Sequence, residues 1–328
     1  MRCSARKASF FSVPKLGSSK KLTVGLIPGE GIGPEVAQAT RDVVAAVGAP
    51  VNWHKITGEE SFSKGFPAVF KANSFSESLE KGLKEQFNLF AKLVFAKSLP
   101  GVKGPFEHLE LTLIQDYSLE SQVKELSENQ VQTTSLVSES AFERIAKYSF
   151  EFAIMNKHKK VTAVHEFPLE SSADSLFLGA MRAQAELHSE IDYEEVYLEK
   201  LCSSLVSNPS NYDLLVSPSI DGNVLENLLS WIVGGPGIAP GAKLGNTVVF
   251  GQASEHLAKD IAGKAFANPT SSILASVLMM RYLGFHSHAF KVLEALKTTY
   301  EKTSTRTPDL GGGATTYQFA NTVIRNIK

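Results

Sequence analysis

The stretch that most constrains this chain runs from residue 21 to residue 56. Lys21-Leu-Thr-Val-Gly-Leu-Ile-Pro28 is a short apolar run of the kind that forms a buried strand. Gly29-Glu-Gly-Ile-Gly33 follows as a tight turn, and Pro34 falls where the first turn of a helix tolerates a missing N–H. Val36, Ala39, Val43, Val44 and Val47 then recur at helical spacing until Gly48-Ala-Pro50, and residues 51–56 read as a second strand. Strand, helix and strand in that order make a βαβ unit. The chain is therefore expected to be α/β with a largely parallel sheet.

The alternation continues downstream. Residues 89–96, 109–114, 160–165 and 213–217 have strand character, and 140–153, 174–188, 224–232, 271–283, 288–300 and 315–326 have helical periodicity. Residues 57–80 and 115–139 are polar, serine-rich and weakly periodic, so loops, arms or frayed helices are expected there. No internal repeat is visible.

Composition excludes several function classes. With 328 residues, 43% of them hydrophobic, the chain can bury a core without cross-links. Cys3 and Cys202 alone supply neither a disulfide framework nor zinc spacing. No apolar run approaches the roughly 20 residues that span a bilayer, so no direct membrane span is expected. A formal net charge of −1 argues against a generic nucleic-acid surface.

The charge is unevenly placed. Residues 1–21 carry Arg2, Arg6, Lys7, Lys15, Lys20 and Lys21, five serines, Phe10-Phe11 and no acid, so they read as a mitochondrial presequence or a disordered basic tail. Without those six cations the net charge of −1 becomes −7, which suits a soluble matrix protein.

The turn alone is ambiguous. A Gly-x-Gly-x-Gly turn serves phosphate binding or a tight strand-to-helix connection, and no acidic residue closes the next strand as a dinucleotide fingerprint requires. The longer string Leu26-Ile-Pro-Gly-Glu-Gly-Ile-Gly-Pro-Glu35 resembles the opening signature of the isocitrate/isopropylmalate dehydrogenase family. The likeness recurs in order in Lys97-Ser-Leu-Pro-Gly101, Arg144-Ile-Ala-Lys-Tyr148, Lys160-Val-Thr-Ala-Val-His165 and Leu205-Val-Ser-Asn-Pro209. It continues in Gly234-Gly-Pro-Gly-Ile-Ala-Pro-Gly241, Ile261-Ala-Gly-Lys264, Ala267-Asn-Pro-Thr270 and Asp309-Leu-Gly-Gly312. It is strongest to subunits of mitochondrial NAD-dependent isocitrate dehydrogenase, of the non-catalytic, regulatory type.

That resemblance implies oxidative decarboxylation with a divalent metal, hydride transfer to NAD, and a lysine and a tyrosine that move protons. Mg²⁺ or Mn²⁺ takes carboxylate oxygens, a tricarboxylate takes guanidinium forks, and proton transfer takes groups of tunable pKa. The implied metal ligands are three aspartates, and here they become Glu199, Asn223 and Asn227. Two amides remove most of the charge that holds a cation, and Glu199 alone reads as a solvated acid. The implied substrate arginines become Lys84 and Val94, which offer a point charge and no donor respectively, and the third lies in a motif with no counterpart here. Ser78 is retained, but Glu80 stands where an asparagine is implied and is expected to repel a carboxylate substrate.

The proton-transfer groups are altered as well. Tyr117 falls near the place of the catalytic tyrosine, in a loop shorter than the family's, and Glu166 replaces the catalytic lysine, with Pro168 close behind. The nucleotide loop Gly251-Gln-Ala-Ser-Glu-His-Leu-Ala-Lys-Asp260 is one residue longer than in catalytic members and resembles that of regulatory subunits. His256 is out of register there and reads as a surface histidine. Asn268 persists at a cofactor position, as does Gly311-Gly-Gly313, although such turns have structural uses of their own. No bound metal or cofactor is expected.

The implied architecture is a large α/β domain built from residues 22–115 and 241–328, with a smaller, dimer-forming α/β domain at 116–240 inserted between. The implied function is that of a catalytically inactive, regulatory or structural subunit in a heteromeric mitochondrial NAD-dependent isocitrate dehydrogenase of the tricarboxylic acid cycle. Its partners would be homologous subunits, met through helices whose Leu176, Phe177, Met181, Leu225, Leu228, Leu229, Trp231 and Ile232 serve as interface or as ordinary core. The alternative is a pseudoenzyme recruited as an accessory subunit of another mitochondrial complex (respiratory chain, ATP synthase or mitoribosome), in the matrix or attached to an inner-membrane complex.

Overall fold

The computed structural model describes residues 21–56, 65–74, 76–118, 120–127, 130–166, 172–254 and 256–328. The opening βαβ unit forms as its pattern requires. β1 (Leu22–Ile27) leads through the glycine turn into α1 (Gly33–Ala46), and β2 (Val51–Lys55) returns parallel to β1, with Leu22 opposite Val51. Then follow β3 (Ala68–Lys71), α2 (Glu77–Phe87), β4 (Ala91–Lys97) and β5 (Glu110–Asp116). β6 (Glu120–Ser127), β7 (Gln130–Leu136), α3 (Glu139–Asn156), β8 (Lys160–His165), α4 (Ser172–Leu187) and β9 (Asp192–Tyr197) come next. The chain continues as α5 (Leu198–Ser207), β10 (Leu214–Ser217), α6 (Ser219–Ile232), β11 (Pro240–Leu244) and β12 (Val248–Gln252). It ends in α7 (Thr270–Tyr282), α8 (His286–Lys302) and α9 (Thr316–Arg325). Among the described residues, no helix is long and apolar enough to cross a membrane.

The described residues form two compact units. The first holds those up to Leu89, Leu93–Thr112 and Glu226–Lys328. Its strands follow the order β2-β1-β3-β12-β11-β4; β3 is parallel to β1 and to β12, while β11 runs antiparallel to β12. α7 is buried on nearly all sides, which suits a helix packed against β11, β12, α1 and α8. Its polar residues stay inside because they are hydrogen-bonded: Ser271 Oγ donates to the Ala239 carbonyl at 2.6 Å and Ser276 Oγ to that of Ile273 at 2.7 Å. A capping box starts α9, with Thr315 Oγ1 accepting from the Gln318 N–H at 3.1 Å and Gln318 Oε1 accepting from the Thr315 N–H at 2.9 Å.

The second unit holds Phe90–Lys92 and Leu113–Leu225. Parallel β10, β8 and β9 lie side by side, and α3 and α4 pack on each other and on β8. Phe142, Phe150, Phe152, Phe177 and Met181 fill this core.

Two expectations are corrected. Most of the stretch 115–139 is an antiparallel hairpin of β6 on β7 with a bulge between Glu125 and Ser127, not loop or frayed helix. Its strands are mostly polar, and Val123, Leu126, Val131 and Leu136 are not spaced by two, so no apolar alternation marks them. Within 57–80, residues 57–64 lie outside the described ones, but β3 and the first turn of α2 are regular structure.

At one end of the second unit, Asp213 ties β8 to the turn before β10. Its Oδ1 lies 2.5 Å from His158 Nδ1, and its Oδ2 accepts from the Lys159 N–H at 2.6 Å and the Lys160 N–H at 3.4 Å. Burial pushes this carboxyl up, but the His158 and backbone hydrogen bonds outweigh it, so the net shift is downward. A depressed folded-state pKa gives stability that is present above the ordinary aspartate value of about 4 and is lost as pH falls through the folded value. Asp213→Asn is therefore expected to cost about 2 kcal/mol at neutral pH, a difference from wild type that fades on acidification. Urea denaturation over a pH series reads it.

Candidate functional site

The glycine turn places the start of α1. Gly29 and Gly31 have φ of +74° and +58°, in the left-handed region. The Asn73 carbonyl accepts from the Glu30 N–H at 2.7 Å, and the Leu257 carbonyl accepts from the Ile32 N–H at 3.1 Å. A Cβ on Gly29 would stand 2.0 Å from the first of these oxygens, and one on Gly31 2.1 Å from the second. The turn thus lets two strands of backbone approach, and those two amides face the protein's own carbonyls. Glu35, in the first turn of α1, accepts from the Ala265 N–H at 3.0 Å, and burial raises its pKa.

Asn73 continues inward as a buried polar chain. Its amide donates to Gln252 Oε1 and to the His256 carbonyl, both at 2.7 Å, and Gln252 in turn donates to Ser272 Oγ at 3.2 Å. His256 is exposed, and its Nε2 lies 3.0 Å from Asn227 Oδ1, which also accepts from Ser254 Oγ at 2.9 Å. So His256 meets Asn227, one of the positions where the resemblance implies a metal ligand. Asn268 is also engaged at both ends: Nδ2 donates to Asp309 at 2.9 Å, and Oδ1 accepts from the Thr270 N–H at 3.0 Å.

The other two positions where the resemblance implies metal ligands belong to the second unit. Glu199 is exposed in the first turn of α5, and Asn223 is exposed on α6. Among the described residues, no three His, Cys, Asp or Glu side chains group so as to hold a metal ion. Tyr117 and Glu166 are half-buried in this unit, just past the ends of β5 and β8. The Tyr117 N–H donates to the Phe90 carbonyl at 2.8 Å, while Pro168 lies outside the described residues.

The positions where the resemblance implies substrate contacts lie in the first unit. Ser76 caps α2 by accepting from the Leu79 N–H at 3.3 Å, and Ser78 Oγ lies 3.1 Å from Ser76 Oγ. Lys84 is half-buried in the last turn of α2, and Val94 is wholly buried in β4 as core. Glu80 corrects an expectation. It is not a bare charge facing a ligand: Lys71 Nζ lies 2.6 Å from one of its oxygens and Lys243 Nζ 2.7 Å from the other. Both lysines are buried, at 4% and 6% exposure.

Comparison with known proteins places the chain in a family. The model of the isocitrate/isopropylmalate dehydrogenase family matches residues 65–323. The chain belongs to the isocitrate/isopropylmalate dehydrogenase family. It is 36% identical to a regulatory subunit of mitochondrial NAD isocitrate dehydrogenase from Dictyostelium discoideum, over 94% of this chain and 91% of that one. It is 33% identical to both regulatory subunit 2 and catalytic subunit 5 of the Arabidopsis thaliana enzyme, covering 96% and 94% of this chain and 92% and 90% of theirs. The crystal structure of isocitrate dehydrogenase from Methylococcus capsulatus superposes with a TM-score of 0.86 at 25% identity, covering 93% of this chain and 99% of that one. The fold is thus the α/β fold of isocitrate dehydrogenases.

Within that family fold, the sequence reading passed over Lys71, Asn73, Lys243 and Gln252. A signal for two of them was available. Lys71 and Lys243 each sit in short runs of apolar and small residues, Ala-Val-Phe-Lys71 and Pro-Gly-Ala-Lys243-Leu, and a lysine in a buried strand demands an anion.

Proposed function

We propose that this chain is a non-catalytic subunit of a mitochondrial NAD-dependent isocitrate dehydrogenase, located in the matrix and lending its fold to homologous partners. The observation that carries the reading is the state of Asn227. A metal ligand at this position needs an anionic oxygen, whereas here a neutral amide oxygen already accepts from Ser254 and is in contact with His256. Asn223 is likewise an amide, and Glu166 brings an acid where a lysine would move a proton. The donor set does not fit a divalent cation. NAD has a comparable difficulty, because two amides of the glycine turn and both ends of the Asn268 side chain are engaged within the protein.

Partner surface is supported by two helices. On α4, Leu176, Ala180, Ala183 and Leu187 share one stripe, with Leu176 37% and Leu187 72% exposed. On α6, Val224, Leu228 and Trp231 do the same, with Val224 54% and Trp231 62% exposed. Phe177, Met181, Leu225, Leu229 and Ile232 are core instead, so the apolar residues of these helices divide between the two roles. A largely exposed tryptophan flanked by aliphatic residues is the composition of an interface centre.

The test is affinity purification from mitochondria of the tagged wild-type chain beside Trp231→Asp. Wild type is expected to bring down a catalytic isocitrate dehydrogenase subunit in stoichiometric amount, and the variant to lose at least about 90% of it, equivalent to more than about 1.4 kcal/mol. Stoichiometric recovery of a respiratory complex, ATP synthase or mitoribosome instead would assign the chain to that assembly and defeat the reading.

A further inference from the structure

The strands around β12 bring two lysines to one place. β12 lies between β3 and β11, and the register sets Lys71 opposite Gly251 and Lys243 opposite Val249. Positions 249 and 251 share a face because side chains alternate along a strand, so both lysines leave the sheet on that side. Gly251 carries no side chain between them, and a Cβ there would stand 2.5 Å from the Lys71 carbonyl oxygen.

Glu80 reaches this place from the first turn of α2, where the helix dipole favours a negative charge. One carboxylate oxygen lies 2.6 Å from Lys71 Nζ and the other 2.7 Å from Lys243 Nζ. Lys243 is 163 residues away in sequence. The lysine side chains are 3% and 8% exposed, and that of Glu80 is 20% exposed. A carboxylate gripped by one ammonium on each oxygen is what a binding pocket for a small carboxylic acid supplies, and here its occupant is covalently part of the chain.

We propose that Lys71 and Lys243 form a carboxylate-binding seat of which Glu80 is the built-in occupant, and that a small free carboxylate takes the seat when the Glu80 side chain is removed. The seat belongs to the first unit's own geometry and stands independently of whether the protein turns over isocitrate. It also gives the acid at position 80 a positive role, that of filling the seat.

The experiment compares full-length wild type, Glu80→Ala and the double variant Glu80→Ala/Lys243→Met by thermal denaturation in sodium acetate and in sodium chloride at equal ionic strength. Saturating acetate is expected to raise the Tm of Glu80→Ala by roughly 5 °C and to leave wild type and the double variant unmoved. Should Glu80→Ala not fold in chloride, the same comparison is made on refolding yield, and recovery of folded protein in acetate alone is the expected result. An equal acetate response in wild type and Glu80→Ala, a response that survives loss of Lys243, or failure to fold in both salts would overturn the proposal.

Discussion

Replacing Glu80 with alanine is expected to destabilise the protein by about 3–5 kcal/mol, while replacing Lys71, Glu80 and Lys243 together by methionines is expected to be close to neutral. The reason is an asymmetry in buried charge. Two ammoniums taken out of water are tolerated because a carboxylate lies 2.6 and 2.7 Å away. Removing the carboxylate takes the opposite charge away from both buried lysines; Lys71 keeps its hydrogen bond to the Ser74 carbonyl at 3.3 Å, but a neutral acceptor does not replace an anion. Removing all three charges abolishes the desolvation cost along with the attraction, and methionine retains most of the packing volume. The measurement is urea unfolding of the single and triple variants in chloride buffer. A single variant as stable as wild type would mean that the three side chains do not share one buried site.

Gly29→Ala is expected to be at least as damaging, costing about 4 kcal/mol or more, against roughly 1 kcal/mol for Gly48→Ala. Both glycines have φ near +70°, at +74° and +70°, so backbone strain is common to the pair. They differ in what a methyl group would meet. At Gly48 nothing lies within 4 Å, whereas at Gly29 the Asn73 carbonyl oxygen is 2.0 Å away and its carbon 2.8 Å. These are backbone atoms and have no rotamer by which to retreat. Moving them also breaks the bond from the Glu30 N–H to the Asn73 carbonyl. Thermal denaturation of the two variants side by side isolates the close approach, and equal losses would show that the turn has room for a ligand group.

The glycine turn was legible as a turn, and the helices with apolar spacing, such as α1, α3 and α9, stood where their periodicity put them. β6 and β7 were hidden because their few apolar residues, Val123 and Leu126 in one and Val131 and Leu136 in the other, do not recur with a period of two. β11 and β12 were hidden for another reason: Pro240, Gly241 and Gly251 interrupt the run that identifies a strand, while their neighbours supply the pairing.

For the site, the likeness implies which groups have been exchanged, position by position. What now fills their places was not visible. The contacts of Asn227 with Ser254 and His256 and that of Glu80 with Lys243 join residues 27, 29 and 163 positions apart, which only folding brings together. Val94 illustrates the same limit: at a position where an arginine is implied it is fully buried β4 core, and its neighbours determine that rather than its own identity.

If the chain is the non-catalytic subunit proposed above, it has no dehydrogenase chemistry of its own. The direct measurement is NAD reduction by the purified recombinant chain alone, followed at saturating isocitrate with Mg²⁺ and again with Mn²⁺. No isocitrate-dependent and metal-dependent reduction above the protein-free rate is expected. Turnover that requires both isocitrate and the metal, and that survives repurification, would contradict it.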